Sequence, residues 1–380
     1  MKIAVRIIQI FVGVLFIISG LVKANDPIGL SYKMQEFFEL WSEGSAQGSV
    51  IRNGLDFFHR HSLTLSIGMI ALEIVAGVAL LIAWKKRFIL WMLLVLIVFF
   101  TILTGYAYLS GKFTNCGCFG DCLPITPLTS FIKDIVLLLM ILFLLIGQRH
   151  IQPLFRSRVQ IAILSLSLVL SLGLQWYVLN YLPIADCLPF KKGNNIAEQM
   201  KPPPGSRPDS VVIKYIYEKE GKRYEWAAEE LPADYSSYKY IDRIDKVVRK
   251  GNADPAVKGF SLIGISGEDS TDAVLHQDRA LLIYAMDFSR PQWVKQTANL
   301  LEAAKKQNLP VYVVSPNATE GIHAFSAAGI TGVQFFNTDF TISRTVARTT
   351  PTILVLKKGT IVNKFSKKDI DRAVSVIVSP

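Results

Sequence analysis

The segment NCGCFGDCLP, residues 115–124, sets Cys116, Cys118 and Cys122 within seven positions, and the only other cysteine of the 380-residue chain is Cys187. Thiols at such spacing can bind a metal, staple a loop or pass electrons. Four thiolates suit zinc or an iron–sulfur cluster, although Cys-x-Cys-x3-Cys is not the usual paired Cys-x-x-Cys knuckle. A staple is a plainer use, since a disulfide commonly adds about 2–4 kcal/mol by restricting the unfolded chain. For redox use, a Cys-x-Cys bridge closes a small strained ring, and strained or exposed disulfides are the exchangeable ones. Gly117 and Gly120 let such a loop turn tightly and approach a partner. Four cysteines allow three complete pairings, and spacing does not choose among them.

A second group of residues is charged and lies in or beside apolar sequence. Glu73 stands midway along an apolar run, where a carboxylate costs about 2.5–3.5 kcal/mol on insertion scales and is a functional candidate by default. Lys23 and Asp26 close the first apolar run, and Lys133 and Asp134 open the fourth. Lys23, Glu73, Lys133 and Asp134 are therefore candidates for a quinone site with a proton relay. The plainer alternatives are lysines that snorkel to the interface and a Glu73 that only ties helices together. His59 and His61 read as solvated, and Met69 and Met92 as lipid or core filler.

The elements that must position these groups are mostly membrane spans. Five stretches, near residues 3–24, 62–84, 87–109, 130–147 and 159–181, reach the roughly 17–25 apolar residues that cross a bilayer as helix. The first has a charged start at Lys2 and Arg6 and a small-residue site at Val22-Lys23-Ala24, as a signal peptide would, but its long apolar core favours a retained anchor. Lys2 and Arg6, Lys85-Lys86-Arg87, and Arg149, Arg156 and Arg158 all fall on one side, which the positive-inside rule makes cytoplasmic. Residues 25–61, residues 110–129 and everything after residue 182 then face outward, in a compartment where disulfides persist. The localisation implied is the cytoplasmic membrane. The net charge of +11 and pI near 9.4 owe something to these anchors, and no zinc-finger spacing, Walker loop or RNA-binding motif points to nucleic acid. The expected partners are membrane lipid and an envelope protein.

The expected organisation is a transmembrane helical bundle of four to five helices over residues 1–182, a Pro/Gly-rich linker over 183–209, and an extracytoplasmic α/β domain over 210–380. Val211–Tyr217 and Arg223–Trp226 read as a hairpin around Glu220-Gly221, and residues 228–260 as loosely helical or irregular. Ala280–Met286 predicts a buried strand, Ser289–Lys306 a helix with Ser289 as N-cap, and Pro310–Val314 a second strand, together a parallel βαβ unit. Further expectations are a helix near 319–328, the segment Gln334–Asn337, a short helix near 341–348, a hairpin of Ile353–Lys357 with Thr360–Phe365, and a terminal helix from about Lys367. This order, with Thr350-Pro351-Thr352 before the hairpin, resembles the thioredoxin fold. The position of the thioredoxin Cys-x-x-Cys reads Asp287-Phe288-Ser289-Arg290-Pro291-Gln292, without a cysteine.

Ser19-Gly20-Leu21-Val22-Lys23, Glu73, Cys116-Gly117-Cys118-Phe119-Gly120 and Ile132-Lys133-Asp134 are together similar to the MauE/DoxX family of redox-associated membrane proteins, over roughly residues 1–150. The MauE branch implies maturation of methylamine dehydrogenase through disulfide formation, and the DoxX branch quinone-linked electron transfer. The bundle also resembles the quinone-coupled disulfide oxidases and vitamin K epoxide reductases, four-helix membrane proteins with outward cysteines. These resemblances imply thiol–disulfide electron transfer. Cys116 and Cys118 would be the exchangeable pair, Cys122 and Cys187 a relay or structural pair, and a quinone the acceptor near Lys23, Glu73, Lys133 and Asp134. The alternative is a non-catalytic, stapled assembly factor or binding module.

Overall fold

The computed structural model describes residues 1–43, 48–111, 113, 117, 120, 122–123, 125–249 and 251–378. Five helices are long and apolar enough to cross a membrane: α1 (Lys2–Ala24), α4 (Ser62–Leu81), α5 (Lys86–Ser110), α6 (Pro127–Ile146) and α7 (Ser157–Asn180). The chain is thus a multi-pass membrane protein, and the span boundaries lie close to those expected. Between α1 and α4 the chain forms two further helices, α2 (Pro27–Glu43) and α3 (Val50–Arg60), which hydropathy alone does not reveal.

The bundle is knit by close contact between α1 and α4. A Cβ on Gly77 would stand 2.7 Å from the carbonyl oxygen of Gly13, and one on Gly20 would stand 2.5 Å from Ile74. Small residues at a crossing let two backbones approach where no hydrophobic effect drives helices together. Gln9 adds a hydrogen bond from its Nε2 to the carbonyl of Leu80 at 2.6 Å. At the same end of the bundle Lys86 donates to the carbonyl of Ile151, and Gln160 to that of Ile82. The chain's three basic clusters therefore gather opposite the end that carries the cysteine loop.

The segment after α7 is bound to the C-terminal domain. Phe190 and Ile196, the latter in the short helix α8 (Ile196–Gln199), are each 1% exposed within the core of that domain. Next comes an antiparallel sheet, in the order β2-β1-β3, of β1 (Ser210–Lys219), β2 (Lys222–Ala227) and β3 (Lys239–Arg249). The expected hairpin forms around Glu220 and Gly221, both at positive φ, as two-residue hairpin turns require. β3 falls where an irregular or helical segment was expected. It is held by pairing with β1, including Tyr217 opposite Tyr240, a long-range match that local pattern does not display.

The remaining elements are β4 (Ile263–Gly264), α9 (Thr271–Leu275), β5 (Ala280–Tyr284), α10 (Gln292–Gln296), α11 (Ala298–Lys306), β6 (Val311–Ser315), α12 (Ala318–Ala327), β7 (Gln334–Asn337), α13 (Phe340–Val346), β8 (Thr352–Lys357), β9 (Thr360–Phe365) and α14 (Ile370–Val378). They build a six-stranded sheet in the order β4-β7-β6-β5-β8-β9. β5, β6 and β7 run parallel, while β8 is antiparallel to both β5 and β9. The sheet is covered by apolar side chains on both faces, which explains why β5 reads as an unbroken apolar run rather than an alternating one. The single helix expected over Ser289–Lys306 is divided into α10 and α11 at Thr297, whose hydroxyl donates to the carbonyl of Val294 at 2.7 Å. Ser289 does not cap it; its amide and hydroxyl both donate to Asp287 Oδ1. Thr350–Pro351, just before β8, is a cis peptide.

Candidate functional site

Three helix contacts bring the charged candidates together. Lys23, next to the end of α1, reaches Glu73 of α4, and Lys23 Nζ lies 2.6 Å from Glu73 Oε1 with side chains only 4% and 2% exposed. Ser19, one turn earlier in α1, donates to Glu73 Oε2 at 3.3 Å. The Lys23 ammonium also lies 4.7 Å from the centroid of the Phe100 ring, a cation–π contact. Lys23 is thus a buried partner of Glu73 rather than a snorkelling lysine.

The second pair is local. Lys133 Nζ lies 2.5 Å from Asp134 Oδ1, and Asp134 is buried while Lys133 is 23% exposed. Thr104 of α5 donates to Asp134 Oδ2 at 3.0 Å. Lys23, Glu73, Lys133 and Asp134 all line one small cavity of about 20 Å³ with Ser19 and Phe100, enough for about one water. The structure therefore sets the four charged candidates around one point in the bundle. Thr104 and Ser19 complete their hydrogen bonds; Ser19 stands in the motif that carries the resemblance, whereas Thr104 gave no signal of its own in the sequence.

Cys122 and Cys187 fall at the same end. Cys122 and Cys187 form a disulfide with Cα atoms 4.9 Å apart, while Cys116 and Cys118 lie outside the described residues. With Cys122 and Cys187 joined, two of the four thiolates of a tetracysteine metal site are engaged. The bond is set in a junction. Asn25, just past α1, exchanges hydrogen bonds with the backbone of Ala185 at 2.8 and 3.0 Å, and Asp186 accepts from Lys364 of β9 at 2.8 Å. Burial lowers the Lys364 pKa, against the opposing pull of the Asp186 carboxylate.

The domain leans on α2 through a second contact. Arg348 Nε lies 2.9 and 2.8 Å from the two carboxylate oxygens of Asp26, with 4% of the Arg348 side chain exposed. Arg344 donates to Gln35 at 2.8 Å, and its guanidinium lies over the rings of Tyr32 and Phe340. Burial raises the Tyr32 pKa despite the two nearby arginines; the Asp26 and Asp287 carboxylates add to the rise. The face that holds Arg348, Thr349 and the cis proline is therefore turned toward the bundle. Arg344, Arg348 and Tyr32 were not candidates in the sequence, because an arginine or tyrosine in a polar stretch gives no sign of a partner some three hundred positions away. His59 contacts Glu39 at 2.9 Å near the surface, and His61 contacts the carbonyl of Phe57.

No curated protein matches the chain. Residues 211–250, spanning the three-stranded sheet, match the model of a domain of unknown function, DUF8463. Residues 1–147, which carry both ion pairs and the cysteine loop, match the model of the family described as methylamine utilisation protein MauE, so over α1–α6 the chain is similar to that family.

Proposed function

We propose that this protein passes electrons between thiols of envelope proteins and a quinone of the cytoplasmic membrane, with Cys116 and Cys118 as the exchangeable pair. The observation that carries the reading is the position of the cysteine loop. It is tied by Cys122–Cys187 to the same end of the bundle as the buried Lys23–Glu73 and Lys133–Asp134 pairs, which supports thiol chemistry beside groups able to carry protons. The similarity of residues 1–147 to MauE supports it, and quinone-linked transfer follows the DoxX side of the same resemblance. The basic clusters at the opposite end favour a cytoplasmic position for that end and an outward one for the cysteines.

In this reading the C-terminal domain is thioredoxin-like. Its parallel β5-β6-β7, its antiparallel β8-β9 hairpin and the cis Thr350–Pro351 support that assignment. Lacking a dithiol after β5, it holds other groups in place instead of exchanging electrons itself. A thiolate at the loop is the attacking species.

The test is to trap free thiols in intact membranes with a mass-tagged maleimide, with and without quinone depletion. A shift of two cysteines from oxidised to reduced on depletion is expected. Four cysteines that stay oxidised would refute electron transfer and favour the second reading, a stapled anchor for a binding domain, for which the Arg348–Asp26 and Arg344–Gln35 contacts speak. Replacing Cys116 and Cys118 with serine separates the two again, since lost function at normal abundance marks redox and lost protein marks a staple.

A further inference from the structure

Beside α2 and α3 the bundle holds a cavity of about 420 Å³, inside the range of about 300–1,000 Å³ typical of small-molecule sites. Its walls are mostly apolar and include the rings of Phe37, Phe58 and Phe100. Lys23 and Thr104 line it as well, each already holding a carboxylate of the buried cluster, Glu73 and Asp134 respectively. Lys33 and Gly117 also line it and touch, since a Cβ on Gly117 would stand 3.0 Å from Lys33 Cγ. Gly117 is the residue between Cys116 and Cys118, so the backbone that joins those two thiols is part of the cavity wall. Leu72 of α4 and Phe99 of α5 lie in the lining and are also exposed on the surface of two spans, at 37% and 42%. A chain seated inside has an apolar route sideways into lipid.

We infer that this cavity seats a long-chain isoprenoid quinone, with its ring between Gly117 and Lys23 and its tail leaving between α4 and α5. The inference rests on the thiol–quinone reading above and gives it a site. An apolar volume open to the bilayer selects a carrier that dissolves in lipid, and a wall residue, Gly117, that stands between two cysteines in sequence favours a two-electron acceptor. A quinone is both. The 20 Å³ cavity among the four charged residues has no space for a ring, so those residues act from behind the site. The Lys23 ammonium is placed to donate a hydrogen bond to a quinone carbonyl oxygen. In one turnover the two S–H bonds of Cys116 and Cys118 break and one S–S bond forms. The quinone takes up two electrons and two protons, and its carbonyl oxygens become the hydroxyls of the quinol.

Gly68 provides the test, because it lines the cavity and a Cβ there meets nothing within 4 Å. The full chain in lipid nanodiscs is titrated with a short-tailed benzoquinone and a short-tailed naphthoquinone, followed by quenching of tryptophan fluorescence, Trp41 being in the lining. Saturable binding of at least one is expected in the parent and in Gly68→Ala, weakened about tenfold or more in Gly68→Phe with the melting temperature unchanged. Gly68→Leu is run alongside in case the larger ring unsettles α4. No saturable binding in the parent, or binding undiminished in both filled variants, overturns the site. Tagging free thiols after one addition of quinone separates this inference from the one it rests on. Thiol oxidation that is equal in parent and filled variants sinks the site and leaves electron transfer standing. Binding lost on filling, with no thiol oxidation in the parent, does the reverse.

Discussion

Lys23 and Glu73 show what a charge in an apolar helix requires of its neighbours. Removing one partner of a buried pair leaves the other uncompensated and costs about 3–5 kcal/mol, whereas replacing both can be nearly neutral. Glu73→Gln is therefore expected to lower the melting temperature of the detergent-solubilised protein well below that of the double variant Lys23→Met/Glu73→Gln; equal losses would mean that the pair is not coupled. Tyr32 makes a second residue-scale case, governed by pH. Its pKa is raised in the docked domain, so its contribution to docking is fully present below pH 10, near the ordinary tyrosine value, and is lost as pH rises through the raised value. Protease sensitivity of the junction should climb at alkaline pH, and Tyr32→Phe should flatten that climb; an identical profile would remove Tyr32 from the interface. Lys23 and Glu73 were legible in the sequence because apolar surroundings make a charge conspicuous. Lys33 was not, since a lysine in a polar stretch looks like any solvated one until α2 folds it onto the cavity.

At the scale of elements, the α1–α4 crossing brings two backbones close together. Gly77→Ala sets a methyl against the Gly13 carbonyl and is expected to cost about 1–3 kcal/mol, as overfilled sites do. Gly173→Ala in α7, where a Cβ meets nothing within 4 Å, should be tolerated; comparing the thermal stability of the two purified variants decides it. The five spans and the strands β5, β6 and β8 were legible because each is a largely apolar run between turn signals, and β9 because it follows β8 across the turn Lys358-Gly359. The helices α2 and α3 were hidden by their polar residues, and β3, with charges such as Asp242, Arg243 and Asp245 among its apolar residues, is a strand only because β1 pairs with it. The break between α10 and α11 rests on a hydroxyl–carbonyl bond at Thr297 that sequence periodicity runs straight through.

For the molecule as a whole, the ties that hold the C-terminal domain to the bundle include, among the described residues, the Cys122–Cys187 bond, Arg348–Asp26, Arg344–Gln35 and, through the segment after α7, Lys364–Asp186. Contacts that share one interface are not independent, so either Cys187→Ser or Asp26→Ala alone should leave the domain docked. The two together should release it, seen as rapid tryptic cleavage within residues 183–209; release by Asp26→Ala alone would make the disulfide irrelevant to docking. The meeting of the four charged candidates at one point was partly legible, because three basic clusters fix which helix ends lie together. That the domain turns its cis-proline face to α2 was not, because nothing in the local sequence of Arg344 or Arg348 names a partner in another domain.

The bond between Cys122 and Cys187 spans 65 residues, and two membrane helices, α6 and α7, lie between its ends. During synthesis Cys122 therefore emerges long before its mate, with Cys116 and Cys118 as its nearest thiol neighbours. The chain must thread both helices before the native bond can close, and any earlier bond from Cys122 to Cys116 or Cys118 has to be reshuffled. Correct biogenesis of this protein thus calls for a disulfide isomerase, or for insertion that outpaces oxidation.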